Sequence, residues 1–275
     1  MNQTRLHRAT SADGTVIGGP VHGDGPPVVL AHGGLDDGSL SWAAMLPLLT
    51  PHFTCYVPSM RGRGHSGDHA DLRPERHAED LAAFVDSIGE PAAVAAYSTG
   101  GYYALGAAAR GARISRLVLF ESPVFEFWQQ DNEDAARFGH GVAAMGQAAS
   151  EGKLAEAARE FLRAVSNGEE LAALDEQDAY EQWGRCVPQL LRVLEQAPET
   201  EAPDANDPSE LAKVTMPVLA VYGSRTTVPH AASARHLADT LAHARLHEVP
   251  GVGHMAPWVA PKALADELVP FLQGG

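Results

Sequence analysis

The residues able to do chemistry in this chain fall in three short segments. The first is Ala95-Ala96-Tyr97-Ser98-Thr99-Gly100-Gly101, where an apolar run ends at a serine and an Ala-rich helical stretch begins. A nucleophile on so tight a turn needs small residues two before and two after it. Ala96 and Gly100 supply them, in an A-x-S-x-G pattern. Ser98 would then stand at a helix N-terminus, where the dipole favours developing negative charge. An N-cap serine opening an ordinary helix fits the same residues equally well. The second segment is Val28-Val29-Leu30-Ala31-His32-Gly33-Gly34, a strand-like run delivering two residues without bulk. There the Gly34 N–H, with the Thr99 N–H behind the nucleophile, could bind a tetrahedral oxyanion. A Gly-rich turn leaving a strand is the plainer alternative. The third is Val249-Pro250-Gly251-Val252-Gly253-His254-Met255, whose glycines would let His254 swing onto Ser98 as general base. The chain has 13 histidines, so His254 is distinguished by its place relative to the other two segments and not by its type.

Regular elements must bring these segments together. Short aliphatic runs at 15–18, 27–31, 53–58, 92–97, 116–120, 218–222 and 245–249 predict strands, several continuous enough to be covered on both faces. Helices are expected at 40–49, 75–88, 101–110, 231–242 and 261–272. Their alternation predicts an α/β fold, a mostly parallel sheet with helices on both sides. Residues 123–213 break the alternation, with helical patterns and no strand. Within them, 195–210 is rich in Pro and acidic residues and is expected to be a mobile return. The expected organisation is a core of residues 1–122 and 214–275 with a helical cap, 123–213, inserted between two core strands.

Together the three segments resemble the α/β-hydrolase superfamily, over essentially the whole chain. Arg61-Gly62-Arg63-Gly64-His65-Ser66-Gly67 is similar to the R-G-x-G-x-S loop after the family's fourth strand. The insertion falls where many members carry their cap, and nucleophile before acid before histidine is the family's chain order. One departure concerns the acid. The family usually carries it in a G-x-x-D turn after the strand that follows the cap. Here that turn reads Gly223-Ser224-Arg225-Thr226, and no Asp or Glu occurs between Glu210 and Asp239. A minority of members place the acid one strand earlier, as zearalenone lactonases and some haloalkane dehalogenases do. At that place Leu117-Val118-Leu119-Phe120-Glu121-Ser122-Pro123 puts Glu121 at a strand's carboxyl end, where a carboxylate could orient His254. Glu126, in the entry to the cap, is the second candidate.

Composition narrows the partners. Asp and Glu total 35 against 20 Lys and Arg, a net charge of −15 that should repel phosphate backbones, so nucleic acid is not expected. The charge is uneven: residues 123–213 hold 19 acidic against 7 basic side chains, and the remainder 16 against 13. An acidic cap disfavours anionic substrates. Cys55 and Cys186 cannot make a disulfide framework or a Cys-rich zinc site. The N-terminus lacks a secretory apolar region and no run reaches the ~18 residues of a membrane span, so a cytoplasmic protein is expected. Gly62-Arg63-Gly64-His65-Ser66-Gly67 matches G-x-G-x-x-G literally, but it does not open a helix and no acidic residue ends the next strand. His243 and His247 flank a predicted strand, where their spacing gives no shared ligand face. No metal or organic cofactor is implied.

The resulting expectation is a serine hydrolase, with Ser98, Glu121 and His254 as triad and the Gly34 and Thr99 amides as oxyanion hole. It would cleave a carboxylic ester or lactone of a small, neutral, largely apolar molecule through an acyl-enzyme. Hydrolytic C–C cleavage, or cyclase- or thioesterase-like release, is the alternative on the same triad; a non-catalytic ligand-binding homologue is the alternative outside enzymes. Phe125, Trp128 and Trp183 are the expected substrate contacts in the cap. Self-association into a homo-oligomer stays open.

Overall fold

The computed structural model describes residues 5–177 and 179–275. Its strands are β1 (Arg5–Thr10), β2 (Val16–His22), β3 (Pro27–Ala31), β4 (Thr54–Tyr56), β5 (Ala92–Tyr97), β6 (Ile114–Phe120), β7 (Val218–Gly223) and β8 (Ala244–Val249). They form one sheet in the order β1-β2-β4-β3-β5-β6-β7-β8. β1 and β2 pair antiparallel, as do β2 and β4, and every pairing from β4 onward is parallel. The apolar runs become parallel strands because both faces of the sheet are covered, and all six residues of β5 are buried. Alternate residues serve opposite layers: Val29 and Ala31 pack with the helices Pro74–Asp86 and Thr99–Ala109, while Val28 and Leu30 pack with Pro261–Gln273.

Two expectations are corrected, and one strand was not expected at all. β1 has no apolar run to announce it; as an edge strand it buries only Ala9 fully. The helix expected at 40–49 is two short ones, Gly38–Trp42 and Leu46–Leu49, since Pro47 has no N–H with which to continue the first. The acidic stretch 195–210 is tethered and not a free return. Gln196 Oε1 accepts from the Leu72 N–H at 2.8 Å, the Thr200 hydroxyl donates to Glu75 Oε2 at 2.6 Å, and Asn206 Nδ2 donates to the Pro123 carbonyl at 3.2 Å. Three neutral side chains tie the stretch to the core, while Glu195, Glu199, Glu201, Asp204 and Asp207 stay exposed.

Between β6 and β7 the chain is helical. The segments Phe125–Trp128, Glu133–Ser150, Leu154–Val165, Gly168–Gln177, Tyr180–Gly184 and Val187–Gln196 cover the carboxyl edge of the sheet. Their own apolar cluster includes Met145, Leu162, Trp183 and Leu190, and it is shared with Leu35 and Met255 of the sheet's edge loops. That edge, beyond the carboxyl ends of β3, β5 and β6, is where ligands settle in open α/β sheets.

Candidate active site

β5 turns into the helix Thr99–Ala109 within one residue, and that residue is Ser98, with φ 53° and ψ −130°. The side chain makes no capping bond, so the N-cap alternative does not hold. The turn is possible because Gly100 has no Cβ; one placed there would lie 2.5 Å from the His32 carbonyl oxygen. Next door, Tyr97 pairs with Phe120 in register, so Ser98 and Glu121 leave adjacent parallel strands side by side. The Ser98 N–H donates to the Phe120 carbonyl at 2.9 Å, and the Glu121 N–H to the Val221 carbonyl at 2.9 Å. Among the described residues, Ser98 and Glu121 are the two non-glycine positions with positive φ. Such backbone strain persists where surrounding structure over-determines it.

Glu121 is fully buried and both of its oxygens are hydrogen-bonded. Oε1 accepts from the Gly223 N–H at 2.9 Å; Oε2 accepts from the Thr226 hydroxyl at 2.8 Å and lies 2.7 Å from His254 Nδ1. A buried carboxylate only accepts, so His254 carries its proton on Nδ1 and leaves Nε2 free to take one. The ring packs on Tyr97 at 5.0 Å between centroids. Its loop is held from the insertion: Glu170, buried, accepts the Met255 N–H at 2.8 Å. Ser98 Oγ makes no hydrogen bond to this ring among the described residues and faces a cavity instead; in unliganded enzymes that bond commonly tightens only with substrate. Glu126, the second acid candidate, is exposed on the short helix Phe125–Trp128, away from His254.

Gly34 lies against Thr99: a Cβ on it would stand 3.2 Å from Thr99 Oγ1. The Thr99 N–H opens a helix and has no intrahelical acceptor. Two buried cationic-type side chains brace the loop. Arg63 Nη1 donates to the Gly34 and Asp36 carbonyls, the latter at 2.8 Å. His32 Nε2 accepts from the Met60 N–H while Nδ1 donates to the Gly33 carbonyl, both at 2.8 Å. Burial and the nearby Arg63 hold the His32 pKa down at about 3, so it is a neutral strut. Arg61 is structural too, forked onto Asp80 with two 2.6 Å bonds and onto Asp13 at 2.9 Å.

A cavity of about 130 Å³ opens between sheet and insertion. Gly34, Ser98, Thr99 and His230 form its chemical end; Met60, Phe138, Phe161 and Leu190 contribute to a mostly apolar wall. Phe125 and Trp128 line it. Trp183 does not, and its expected substrate contact is corrected. It is completely buried, with its ring tilted against Trp258 at 4.5 Å, and its indole N–H donates to Asp36 Oδ1 at 2.7 Å. A buried indole N–H needs an acceptor, and the nearest one belongs to the loop after Gly34 and not to the cavity.

Sequence reasoning missed His230. It sits on the helix Val228–Thr240, its ring stacked on His254 at 4.1 Å and 13°. The available signal was position: it lies four residues beyond Thr226, on the helix that follows the turn where the family's acid is usually found. Glu121, His230 and His254 are the one group among the described residues with metal-ligand spacing. Imidazole lone pairs lie in the ring plane, and two nearly parallel stacked rings cannot aim theirs at one ion. Within the set, His254 is hydrogen-bonded to Glu121, and His230 is stacked on His254 while its Nδ1 pairs with the Thr227 hydroxyl. Cys55 and Cys186 are buried, which pushes both thiols up to about 12 and leaves them unreactive.

A serine on a strained strand-to-helix turn, beside a carboxylate–histidine pair at the carboxyl edge of a mostly parallel sheet, defines a hydrolase-type site on an α/β scaffold. Residues 28–267 match the alpha/beta hydrolase family, and the chain belongs to that family. It is similar to an alpha/beta hydrolase from Sphaerobacter thermophilus at 30% identity, covering 96% of this chain and 99% of that one, with a TM-score of 0.74. It shares the fold of a thermophilic esterase from Thermogutta terrifontis (21% identity, 98% of each chain, TM-score 0.75). The same holds for the enol-lactonase from Burkholderia xenovorans (21% identity, 97% of this chain and 100% of that one, TM-score 0.71). No curated protein matches the sequence. No described helix is long and apolar enough to cross a membrane.

Proposed function

We propose that the protein is a serine hydrolase that cleaves a carboxylic ester or lactone of a small, neutral, largely apolar molecule. The observation that carries this reading is the 2.7 Å contact of Glu121 with His254 beside a serine held at φ 53°. Ser98 Oγ attacks the carbonyl while His254 Nε2 takes its proton, and Glu121 stabilises the imidazolium so formed. The Gly34 and Thr99 N–H groups receive the oxyanion. His254 returns the proton to the departing alcohol, the acyl-enzyme forms, and a water activated by the same ring releases the acid. In a lactone both products stay joined as one hydroxy acid. The 123–213 insertion acts as the lid, and its apolar wall over Ser98 is what favours an uncharged substrate. The esterase and enol-lactonase named above are consistent with this bond class.

A fluorophosphonate probe and an aryl butyrate test it. The wild-type chain is expected to be labelled on Ser98 and to turn the ester over, and Ser98→Ala to lose both. A folded wild-type chain that is neither labelled nor active on esters or lactones would overturn the reading.

A further inference from the structure

His230 is built into the site more firmly than a core histidine needs to be. It is 2% exposed, near the start of a helix entered through Pro229. One ring face covers the His254 ring at 4.1 Å with 13° between planes. The Trp128 indole, from the insertion, meets it at 4.7 Å and 76°. Nδ1 lies 2.9 Å from Thr227 Oγ1 and 3.5 Å from Glu121 Oε2. It also lines the cavity that contains Ser98. Burial, with the neighbouring His254 and Arg137 adding to it, holds its pKa well below the ordinary histidine value.

A histidine that shuttles protons must keep its ring plane while its charge changes. His254 is pinned at Nδ1 by one hydrogen bond, which still allows the ring to tilt about that bond. Tyr97 limits the tilt from one direction, at 5.0 Å and 41°. His230 is the flat surface that blocks it from another. Because it stays neutral, the imidazolium formed during acyl transfer meets a π face and not a second cation.

We infer that His230 is a positioning residue for this reaction: it fixes the plane of His254 so that Nε2 stays directed at Ser98, and it ties that plane to Trp128 in the cavity wall. The inference rests on the reading of Ser98, Glu121 and His254 as a triad. It adds a fourth member to the triad's setting, an uncharged aromatic ring on the helix that follows the turn where the acid is ordinarily carried.

The test compares His230→Ala, His230→Gln and His230→Phe in the full chain. Each is read by kcat and KM on one aryl ester, by the rate of fluorophosphonate labelling, and by the downfield Nδ1 proton resonance of His254. Phe keeps the flat ring; Gln keeps a polar partner for Thr227 without one. Ala and Gln are expected to lower kcat and the labelling rate roughly 10- to 100-fold with KM changed less than about threefold, and to broaden the Nδ1 proton signal. Phe is expected to stay within about fivefold of wild type and to keep the signal. Should Ala fail to fold, the Gln and Phe pair decides alone. Wild-type rates in Gln, or a Phe variant as impaired as Gln, would overturn the inference while leaving the triad standing. Absence of labelling in the wild type would instead strike the triad itself.

Discussion

The Thr226 hydroxyl donates to Glu121 Oε2 at 2.8 Å. The position at which this family usually carries its acid therefore contributes a donor to an acid placed one strand away. The exchange is self-consistent: a second carboxylate there would face Glu121 in a buried site, and one of the two would have to take up a proton. Gly223, in the same turn, gives its N–H to the other Glu121 oxygen at 2.9 Å. The β7 turn thus holds both oxygens of the Glu121 carboxylate.

The first prediction concerns that cradle. Glu121→Gln removes the charge that stabilises the imidazolium and is expected to lower kcat by roughly 10²- to 10⁴-fold with KM little changed. Thr226→Ala deletes one of several bonds to the carboxylate and is expected to cost less than about tenfold. Steady-state kinetics on one aryl ester separates the two. Equal losses would mean that the relocated acid has been misassigned.

The cavity wall sets a second prediction. Each added methylene of an acyl chain that enters this apolar space is expected to raise kcat/KM about fourfold, from ~0.8 kcal/mol per buried CH₂, until the space is full. Leu190 lies against Gly34, its Cδ1 3.6 Å from where a Cβ of that glycine would be. Leu190→Trp fills the cavity there and should end the rise at a shorter chain. A series of aryl esters from acetate upward measures both, and a flat series in the wild type would contradict the apolar site.

The insertion is joined to the loop after β3 by the Trp183–Asp36 hydrogen bond, 2.7 Å long. Burial raises the Asp36 carboxyl to about 6, against the downward pull of Trp183 and Ser41. Its folded pKa lies above its unfolded one, so the folded state holds a proton that the unfolded state releases. Between about pH 4 and pH 6 this group's contribution to stability must then fall as pH rises. Asp36→Asn removes the titration, and its stability relative to wild type should improve from pH 4 to pH 7 by up to about 3 kcal/mol. Urea unfolding at both pH values tests the sign. A relative stability that is flat with pH would contradict the raised pKa.

Glu170 offers a fourth. It is part of a capping arrangement, its N–H donating to Asn167 Oδ1 at 3.0 Å and its Oε2 accepting from the Asn167 N–H at 3.1 Å. Oε1 meanwhile holds the Met255 N–H next to His254. Glu170→Ala orphans that buried N–H and is expected to cost about 2 kcal/mol of stability and roughly tenfold in kcat. Glu170→Gln keeps an acceptor oxygen and should recover most of both. Thermal melts and kinetics on the three proteins check this ordering.

Much of the architecture was legible because it is written locally. Short continuous apolar runs such as Ala92–Tyr97, alternating with longer helical patterns, read as strands covered on both faces, and Ser98 between Ala96 and Gly100 marks a turn too tight for larger neighbours. The sheet edge Arg5–Thr10 was not legible, because a strand with one fully buried residue leaves no periodic trace. The acidic stretch near 195–210 misled for a related reason: most of its acidic side chains do stay exposed, but the neutral side chains among them, Gln196, Thr200 and Asn206, bond to the core, which composition does not report.

The site divides along the same line. The sequence by itself singled out Ser98, the His254 loop and the lack of an acid after β7, because small-residue turns and the order of segments along the chain are local features. Only the tertiary structure decided that Trp183 serves Asp36 and not the cavity, that Thr226 serves Glu121, and that His230 lies flat on His254. Those relationships join residues from separate elements, 147 positions apart for the first and 105 for the second. Their hydrogen bonds and ring contacts depend on distance in space, which the local pattern of a chain does not encode.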